Sequence, residues 1–134
     1  MLTKNIKESS RITPIECNSP VGKYSHITIV PHDKNIFTFS GQIGINNKGV
    51  IPNNFNEQVN YTFKNIKALL ESQQLEFKDI IKVNIWSTKE IDWEYFDTLW
   101  DSFFMNSYPS MTIAYISALG LPEIDIEIEI WAAK

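Results

Sequence analysis

The last segment of the chain alternates strictly between isoleucine and other residues. Residues 124–131 read IDIEIEIW, so isoleucine occupies every second position, and the residues between are Asp125, Glu127, Glu129 and Trp131. Successive side chains of a β-strand point to opposite faces of a sheet, and the pattern therefore predicts a strand with an isoleucine face and an acidic face. Unpaired carboxylates are too costly to bury in a closed core. We therefore expect helices on the isoleucine face, and solvent, a cleft or another subunit on the acidic face.

The hydrophobic pattern elsewhere predicts an α+β fold. Apolar residues recur at helical spacing over residues 54–74 and 93–105, with Asn54 and Asp92 as the expected N-caps. The β-like runs cover residues 24–30, 35–44, 79–88 and 111–117. The turn sequence PHDK at residues 31–34 predicts that the first two runs form a hairpin. In the order β-β-α-β-α-β-β, these elements give a mixed sheet with two helices packed on one face.

Length and charge restrict the class of protein. The 134 residues carry a net charge of −4 and are 43% hydrophobic, which suits one folded domain over residues 1–134. A nucleic-acid partner is not expected, because such proteins normally present a basic stripe to the phosphates. No apolar run reaches the roughly 20 residues of a membrane span, so no membrane partner is expected. Residues 1–11 are polar, are expected to be flexible and do not resemble a signal peptide, which favours a cytoplasmic protein.

The residues that commonly carry chemistry are few and scattered. His26 and His32 lie on a predicted strand and a predicted turn without a third ligand at a usual spacing, so no metal site is expected. Cys17 is the only cysteine, and we expect a small buried thiol rather than a nucleophile activated by a histidine. Glu127, flanked by acidic residues on the same face, is a candidate general acid or base. A solvated strand face that prevents edge pairing is the alternative interpretation.

Two glycines interrupt the predicted strand at residues 35–44. Gly41 and Gly44 lie within the sequence SGQIG at residues 40–44. Glycine weakens a strand and commonly marks a bulge or a close backbone approach. The pattern therefore predicts either a bulge that ends the hairpin or a point where a ligand or another backbone comes close.

Five segments of the chain resemble the RidA family, also called the YjgF family. They occur in the family's order within residues 12–133 and read SPVGKYS from residue 19, FSGQI from 39, NIKALLE from 65, DIIKV from 79 and IEIE from 126. The resemblance implies a fold like that of chorismate mutase and a homotrimer. In such a trimer the sheets form a central barrel, the helices lie outside, and clefts between the subunits hold a small-molecule ligand.

The same resemblance implies an activity that uses no cofactor. Members of the main branch hydrolyse 2-imino or enamine acids to 2-oxo acids and ammonia. By position, Glu127 corresponds to the glutamate that positions the attacking water, and Tyr24 corresponds to the tyrosine that closes the pocket. Ser40, Gly41 and Thr112 correspond to further residues of the substrate-binding cleft.

The chain departs from the family at the residue that binds the substrate carboxylate. The family motif P-x-R-[ST] reads PSMT at residues 109–112, so Met111 replaces the arginine. Methionine cannot pair with a carboxylate, and a lost charged hydrogen bond typically costs about 1.5–3 kcal/mol. Asp97, where the family has a cleft asparagine, adds negative charge. The chain has eleven lysines and a single arginine, Arg11 in the N-terminal segment, which leaves Lys23 as an alternative point-charge anchor.

Three functions follow from these observations. The first is a diverged imine or enamine deaminase-like hydrolase that acts on an unidentified small molecule and uses 2-iminopropionate poorly. The second is a non-catalytic small-molecule-binding or regulatory trimer. The third, RNA cleavage, is disfavoured by the net charge of −4 and by the lack of a basic cluster.

Overall fold

The structure is a computed structural model that describes residues 8–134. The strands are β1 (Ser10–Ile12), β2 (Ile27–Ile29), β3 (Ile36–Thr38), β4 (Gln42–Ile43), β5 (Ile80–Ser87), β6 (Ser110–Tyr115) and β7 (Ile126–Ala133). The helices are α1 (Phe55–Ser72) and α2 (Trp93–Phe104), and a single 3-10 turn precedes β5 at Phe77–Asp79.

One mixed sheet organises the fold. Its strand order is β3-β7-β5-β6, and β4 also pairs with β7. β5 and β6 run parallel, whereas every strand that pairs with β7 is antiparallel to it. A parallel pair needs a crossover connection, which α2 supplies between β5 and β6. The predicted α+β architecture, a mixed sheet with both helices against one face, is confirmed.

β7 is a central strand of this sheet, and its isoleucine face is buried. Ile126, Ile128 and Ile130 are at most 2% exposed and belong to one core with the apolar residues of α1 and α2. Burying an isoleucine side chain stabilises a fold by roughly 1.5–3 kcal/mol. We call the face of the sheet that the helices cover the inner face, and the opposite one the outer face.

Asp125 is buried, contrary to the prediction that it shares the acidic face. The residue precedes β7 and is only 8% exposed. Gln58 of α1 donates from Nε2 to its carboxylate at 3.4 Å and accepts its backbone N–H at 3.0 Å, and Lys89 forms an ion pair with it at 3.3 Å. Such partners replace the water that a buried carboxylate loses. The acidic face of β7 therefore consists of Glu127 and Glu129 alone.

Both helices begin at the predicted caps. The side chain of Asn54 accepts the N–H of Glu57 at 3.0 Å, and that of Asp92 accepts the N–H of Tyr95 at 3.3 Å. α2 ends at Met105, which adopts the left-handed conformation with φ of 49°. Over residues 8–134, no helix has the length and apolar character needed to cross a membrane.

The predicted hairpin between residues 24–30 and 35–44 is wrong. β2 pairs with β1, placing Ile27 opposite Ile12, whereas β3 and β4 both pair with β7. A turn motif indicates where a chain reverses, but it does not decide which sheet edge each strand joins. Here β1 and β7, which are distant in sequence, supply the partners.

Gly44 allows β4 to lie directly against α1. A Cβ on Gly44 would be 2.7 Å from the carbonyl carbon of Gln58, closer than real Cβ contacts come. The side chain of Asn65 holds the two elements together, because its Nδ2 donates to the carbonyls of Ile43 and Ile45, both at 2.9 Å. The sequence pattern predicts either a bulge or a close backbone approach at this glycine, and the structure shows the close backbone approach.

Arg11 attaches the beginning of the described chain to the rest of the fold. Most of the segment predicted to be flexible, residues 1–7, lies outside the described residues, but Ser10 and Arg11 belong to β1. The Arg11 guanidinium donates to the carbonyls of Phe77 at 2.7 Å and Ile80 at 2.9 Å, and to that of Ser107. Burial lowers the pKa of Arg11 to about 10. The only arginine of the chain therefore has a structural role, because its guanidinium joins β1 to three backbone carbonyls of other segments.

We expect Arg11→Lys to lower the free energy of unfolding by about 1–2 kcal/mol, because an ammonium cannot reach all these carbonyls at once. Urea unfolding followed by circular dichroism, at fixed protein concentration, measures the change. Lys48→Arg, on an exposed loop, is the matched control and should stay within about 0.5 kcal/mol of the parent protein. An unchanged unfolding midpoint in Arg11→Lys would contradict the role of the guanidinium.

Candidate functional site

The predicted site residues separate into two groups on opposite faces of the main sheet. Residues directly opposite each other on paired strands point to the same face. Met111 of β6 is opposite Val83, which is buried in the core of the inner face. The next residue, Thr112, is opposite Asn84, which in turn faces Glu129 of β7. Met111 therefore belongs to the inner face, and Thr112 shares the outer face with the glutamates of β7.

Tyr24, Asp97 and Met111 come together in one cavity of about 500 Å³, which we call the α2 cavity. It lies between α2, β6 and the segment of residues 21–24. Cavities that bind small molecules are mostly apolar and have volumes of about 300–1,000 Å³. The α2 cavity fits this description, because its other walls are mainly apolar and include Val21, Trp93, Phe96, Trp100 and Ile113.

Hydrogen bonds hold the segment that precedes β2 against α2 and β6. The indole Nε1 of Trp100 donates to the carbonyl of Lys23 at 2.9 Å. The backbone N–H of Ser25 donates to the carbonyl of Pro109 at 3.1 Å. Tyr24 lies between these two anchors, so its position in the cavity depends on both α2 and the start of β6.

Two charged residues, Lys23 and Asp97, line the α2 cavity, and both interact with a third, Asp101 of α2. Its carboxylate forms an ion pair with Lys23 and accepts the hydroxyl of Tyr108 at 2.7 Å. These hydrogen bonds lower the pKa of Asp101, and the one to Asp101 raises the pKa of Lys23. Burial raises the pKa of Asp97, and the attraction of Lys23 offsets part of that effect. Lys23, the alternative to the missing arginine, therefore already has a carboxylate partner.

Trp93 is a wall of the α2 cavity that the sequence analysis does not single out. It is four residues before Asp97 on α2, a spacing that places both side chains on one side of a helix. The apolar stripe of α2 predicts the buried residues Phe96 and Trp100, each 2% exposed, whereas Trp93 is 39% exposed. The four-residue spacing of Trp93 and Asp97 could have indicated that α2 contributes to a cavity as well as to the core.

On the outer face, Glu127 lies against Gly41. A Cβ on Gly41 would be 2.7 Å from Cδ of Glu127, so any larger residue would displace this side chain from its observed position. β4 begins one residue later and places Ile43 opposite Glu127. Ser40 is exposed, and its carbonyl accepts Nε2 of Gln42 at 3.0 Å. Gly41, like Gly44, thus marks a close approach, in this case of a carboxylate.

Glu127 differs from its acidic neighbours in its hydrogen bonds. Glu129 accepts Nδ2 of Asn84 at 3.0 Å, and Asp125 is bonded to Gln58. Within residues 8–134, no side chain or backbone N–H donates to the Glu127 carboxylate, which is half-buried. A carboxylate in this state is available to a water molecule or a ligand.

Thr112 lies with the second group and not in the α2 cavity. Its Oγ1 accepts Nζ of Lys82 at 2.9 Å on the outer face. Adjacent residues of the motif at residues 109–112 therefore serve different surfaces of the molecule. Within one chain, the sheet separates Thr112, Gly41 and Glu127 from Tyr24, Asp97 and Met111.

His26 lies beside Tyr24 of the first group, whereas His32 and Cys17 line neither the α2 cavity nor the contact between Gly41 and Glu127. His26 Nε2 lies 2.6 Å from the carbonyl of Asn18, and its ring meets Tyr24 edge-on at 5.6 Å. Cys17 is exposed and not buried as predicted, because it ends a surface turn in which its N–H donates to the carbonyl of Pro14 at 3.0 Å. In the part of the chain that the structure describes, no cluster of three His, Cys, Asp or Glu side chains is arranged to hold a metal.

Comparison with known proteins gives matches along nearly the whole chain. The family described as Endoribonuclease L-PSP matches residues 16–134. A RutC family protein of Aquifex aeolicus (strain VF5) is 36% identical over 118 residues, which are 86% of this chain and 91% of the relative. A 2-iminobutanoate/2-iminopropanoate deaminase of Dermatophagoides farinae is 26% identical over 102 residues, 75% of this chain and 77% of the relative.

The fold also matches a solved structure. The crystal structure of YyfB, a protein of unknown function of the conserved Rid protein family from Yersinia pestis, superposes with a TM-score of 0.77. The match covers 95% of this chain and 99% of that chain at 18% sequence identity, and therefore concerns the fold alone. The family match over residues 16–134 carries the assignment: the chain belongs to the Endoribonuclease L-PSP family, that is, the RidA (YjgF) family.

Proposed function

We propose that this protein is a cofactor-independent hydrolase of imines or enamines that works in the cytoplasm, in clefts between the subunits of a homotrimer. The observation that carries the proposal is the state of Glu127. Of the acidic residues predicted on the last strand, it is the one without a hydrogen-bond partner in residues 8–134, and Gly41 leaves the space that its side chain occupies. The relative from Dermatophagoides farinae, named an iminobutanoate and iminopropanoate deaminase, supports the reaction class.

Glu127 would act as the general base in this reaction. It takes a proton from a water molecule whose oxygen bonds to the imine carbon, and the C=N double bond becomes a single bond. The tetrahedral carbinolamine then breaks its C–N bond. Nitrogen receives the proton that Glu127 took from water and then the proton of the carbinolamine hydroxyl, leaves as ammonia, and the carbon keeps the oxygen as a carbonyl group. The balance of one imine and one water to one carbonyl compound and one ammonia needs no oxidant or cofactor.

The separation of the two groups of site residues supports a site between subunits. The α2 cavity and Glu127 lie on opposite faces of the sheet in one chain, so one chain cannot present both to the same small molecule. A neighbouring subunit whose outer face packs at the edge of the cavity would bring its Glu127 and Thr112 to a ligand held by Tyr24 and Asp97. Closed symmetric assemblies such as trimers commonly build sites in this way.

The substrate is expected to differ from the usual 2-imino acids. Met111 cannot bind a carboxylate, Lys23 is paired with Asp101, and Asp97 adds a negative charge to the same cavity. A 2-imino acid such as 2-iminopropionate would therefore lack its anchor and meet electrostatic repulsion.

A second function, that of a non-catalytic small-molecule-binding or regulatory trimer, is favoured by a different observation. The α2 cavity is formed within one chain and does not include Glu127. Binding therefore does not require the catalytic group, and turnover distinguishes the two functions. A ligand without a hydrolysable bond in the cavity would favour the binder.

The first test is Glu127→Gln, which keeps the shape of the side chain and removes its basicity. We expect ammonia release from the imine that the parent protein hydrolyses fastest to fall about 100-fold or more. Glu129→Gln is the matched control, since it changes the neighbouring glutamate of the same face, and should keep most of the activity. Imines with and without a carboxylate are generated in situ for the assay. Full activity in Glu127→Gln would contradict the hydrolase, and no turnover of any imine by the parent protein would favour the binder.

A second test addresses the space beside Glu127. Gly41→Ala places a methyl group where the Glu127 side chain lies, so the carboxylate must move and the turnover should fall at least about tenfold. Gly120→Ala is the control, because a Cβ there meets no atom within 4 Å. Unchanged thermal unfolding in both variants would separate the loss from misfolding. If Gly41→Ala keeps its full turnover, the position of the Glu127 carboxylate does not matter for the reaction.

A third test restores the missing anchor. Met111→Arg should raise the affinity for 2-oxobutanoate, a carboxylate product, about 10- to 100-fold through a charged hydrogen bond. Met105→Arg adds the same charge at an exposed position outside the α2 cavity and should change the affinity little. Isothermal titration measures both. Equal affinities in the two variants would show that Met111 is not at the carboxylate position.

A further inference from the structure

The walls and charges of the α2 cavity indicate which ligands it accepts. We propose that it binds an organic cation, an ammonium or iminium group with an apolar substituent, and that Asp97 is the counter-ion. The inference rests on the proposed function in one respect, namely that such a cation would be the substrate or the amine from which the substrate forms. It goes beyond that function because it reverses the charge of the ligand that the family motif would select.

Aromatic side chains form a large part of the cavity wall. Trp93, Trp100 and Tyr24 each contribute, and Phe96 is packed between the two tryptophans with ring centroids 5.3 and 5.7 Å away. The faces of such rings attract cations, and their area suits an apolar substituent. Trp93, which is 39% exposed, offers its ring to a ligand, whereas Trp100 is only 2% exposed and its N–H is donated to the carbonyl of Lys23 at 2.9 Å, so it supplies no donor for an anion.

The charges on the cavity leave a negative excess. The groups around it are Lys23 on the segment before β2, Asp97 and Asp101 on α2, and Tyr108 after α2. Lys23 and Tyr108 both direct their hydrogens to Asp101, so the lysine charge is already compensated. Asp97 remains as the charged group of the cavity without a hydrogen bond in residues 8–134, and burial strengthens its interaction with a bound cation.

An anion would find this arrangement unfavourable. To pair with Lys23, it would have to share the ammonium with Asp101 and lie beside Asp97, so two carboxylates would oppose it. Met111 offers it no hydrogen-bond donor. A cation instead gains Asp97 and the aromatic walls without breaking any contact that the chain makes.

Three probes of nearly equal shape test the proposal by isothermal titration at neutral pH and low ionic strength. They are 2-phenylethylamine, 2-phenylethanol and 3-phenylpropanoate, which are a cation, a neutral compound and an anion. We expect the amine to bind the parent protein at least about tenfold more tightly than the anion, with the alcohol between them. Equal or tighter binding of the anion would overturn the proposal, as would the failure of the amine to bind.

The counter-ion role is tested with Asp97→Asn. The amine should lose about tenfold in affinity and approach the alcohol, while binding of the alcohol stays unchanged. Asp33→Asn, on an exposed turn away from the cavity, removes the same charge and should leave all three affinities unchanged. An equal loss for amine and alcohol in Asp97→Asn would overturn the role of the charge. Because the series of probes on the parent protein needs no variant, it stays decisive even if a variant does not fold.

These measurements are independent of catalysis. The amine has no C=N bond to hydrolyse, so its binding is measured without turnover. If amine binding depends on Asp97 but no imine is hydrolysed, the hydrolase proposal fails and the cation site stands. If imines are hydrolysed with dependence on Glu127 but the amine does not bind, only the cation site fails.

Discussion

Burial of the isoleucine face of β7 is the constraint on which the rest of the structure depends. β7 pairs with β3, β4 and β5, so its register aligns most of the sheet, and its apolar side chains form the surface on which both helices pack. Once that face is closed, alternation sends Glu127 and Glu129 to the opposite side. The position of the candidate catalytic carboxylate is therefore a direct consequence of how the core is built.

This member of the RidA family keeps the family's fold, but the residues that line its α2 cavity differ from the family motif. The helices, the sheet order and the contact between Gly41 and Glu127 do not depend on what lies in the α2 cavity. In that cavity Met111 and Asp97 stand where the family resemblance implies an arginine and an asparagine, and Lys23 is paired with Asp101. A fold sets where groups can be placed, while the residues at the site decide which molecule they bind.

Sequence reasoning succeeded where a local pattern reports burial directly. The helical spacing in α1 and α2, their N-caps and the alternation in β7 all reflect which side of one element meets the core. It failed where the outcome depends on a partner distant in sequence. β2 joins β1 and not β3, Gln58 on another element allows Asp125 to be buried, and a surface turn leaves Cys17 exposed. The division of the predicted site into two groups was available from strand alternation at Met111 and Thr112, but which of the two meets the α2 cavity depends on the register of β5 and β6.

The main sheet also separates the place where a ligand can be held from the carboxylate that is proposed to act on it. The α2 cavity is formed on its inner face within one chain, whereas the Glu127 carboxylate lies on its outer face and does not line that cavity. Under the proposed function, turnover would therefore depend on the assembly of several copies and so on protein concentration, whereas formation of the cavity would not.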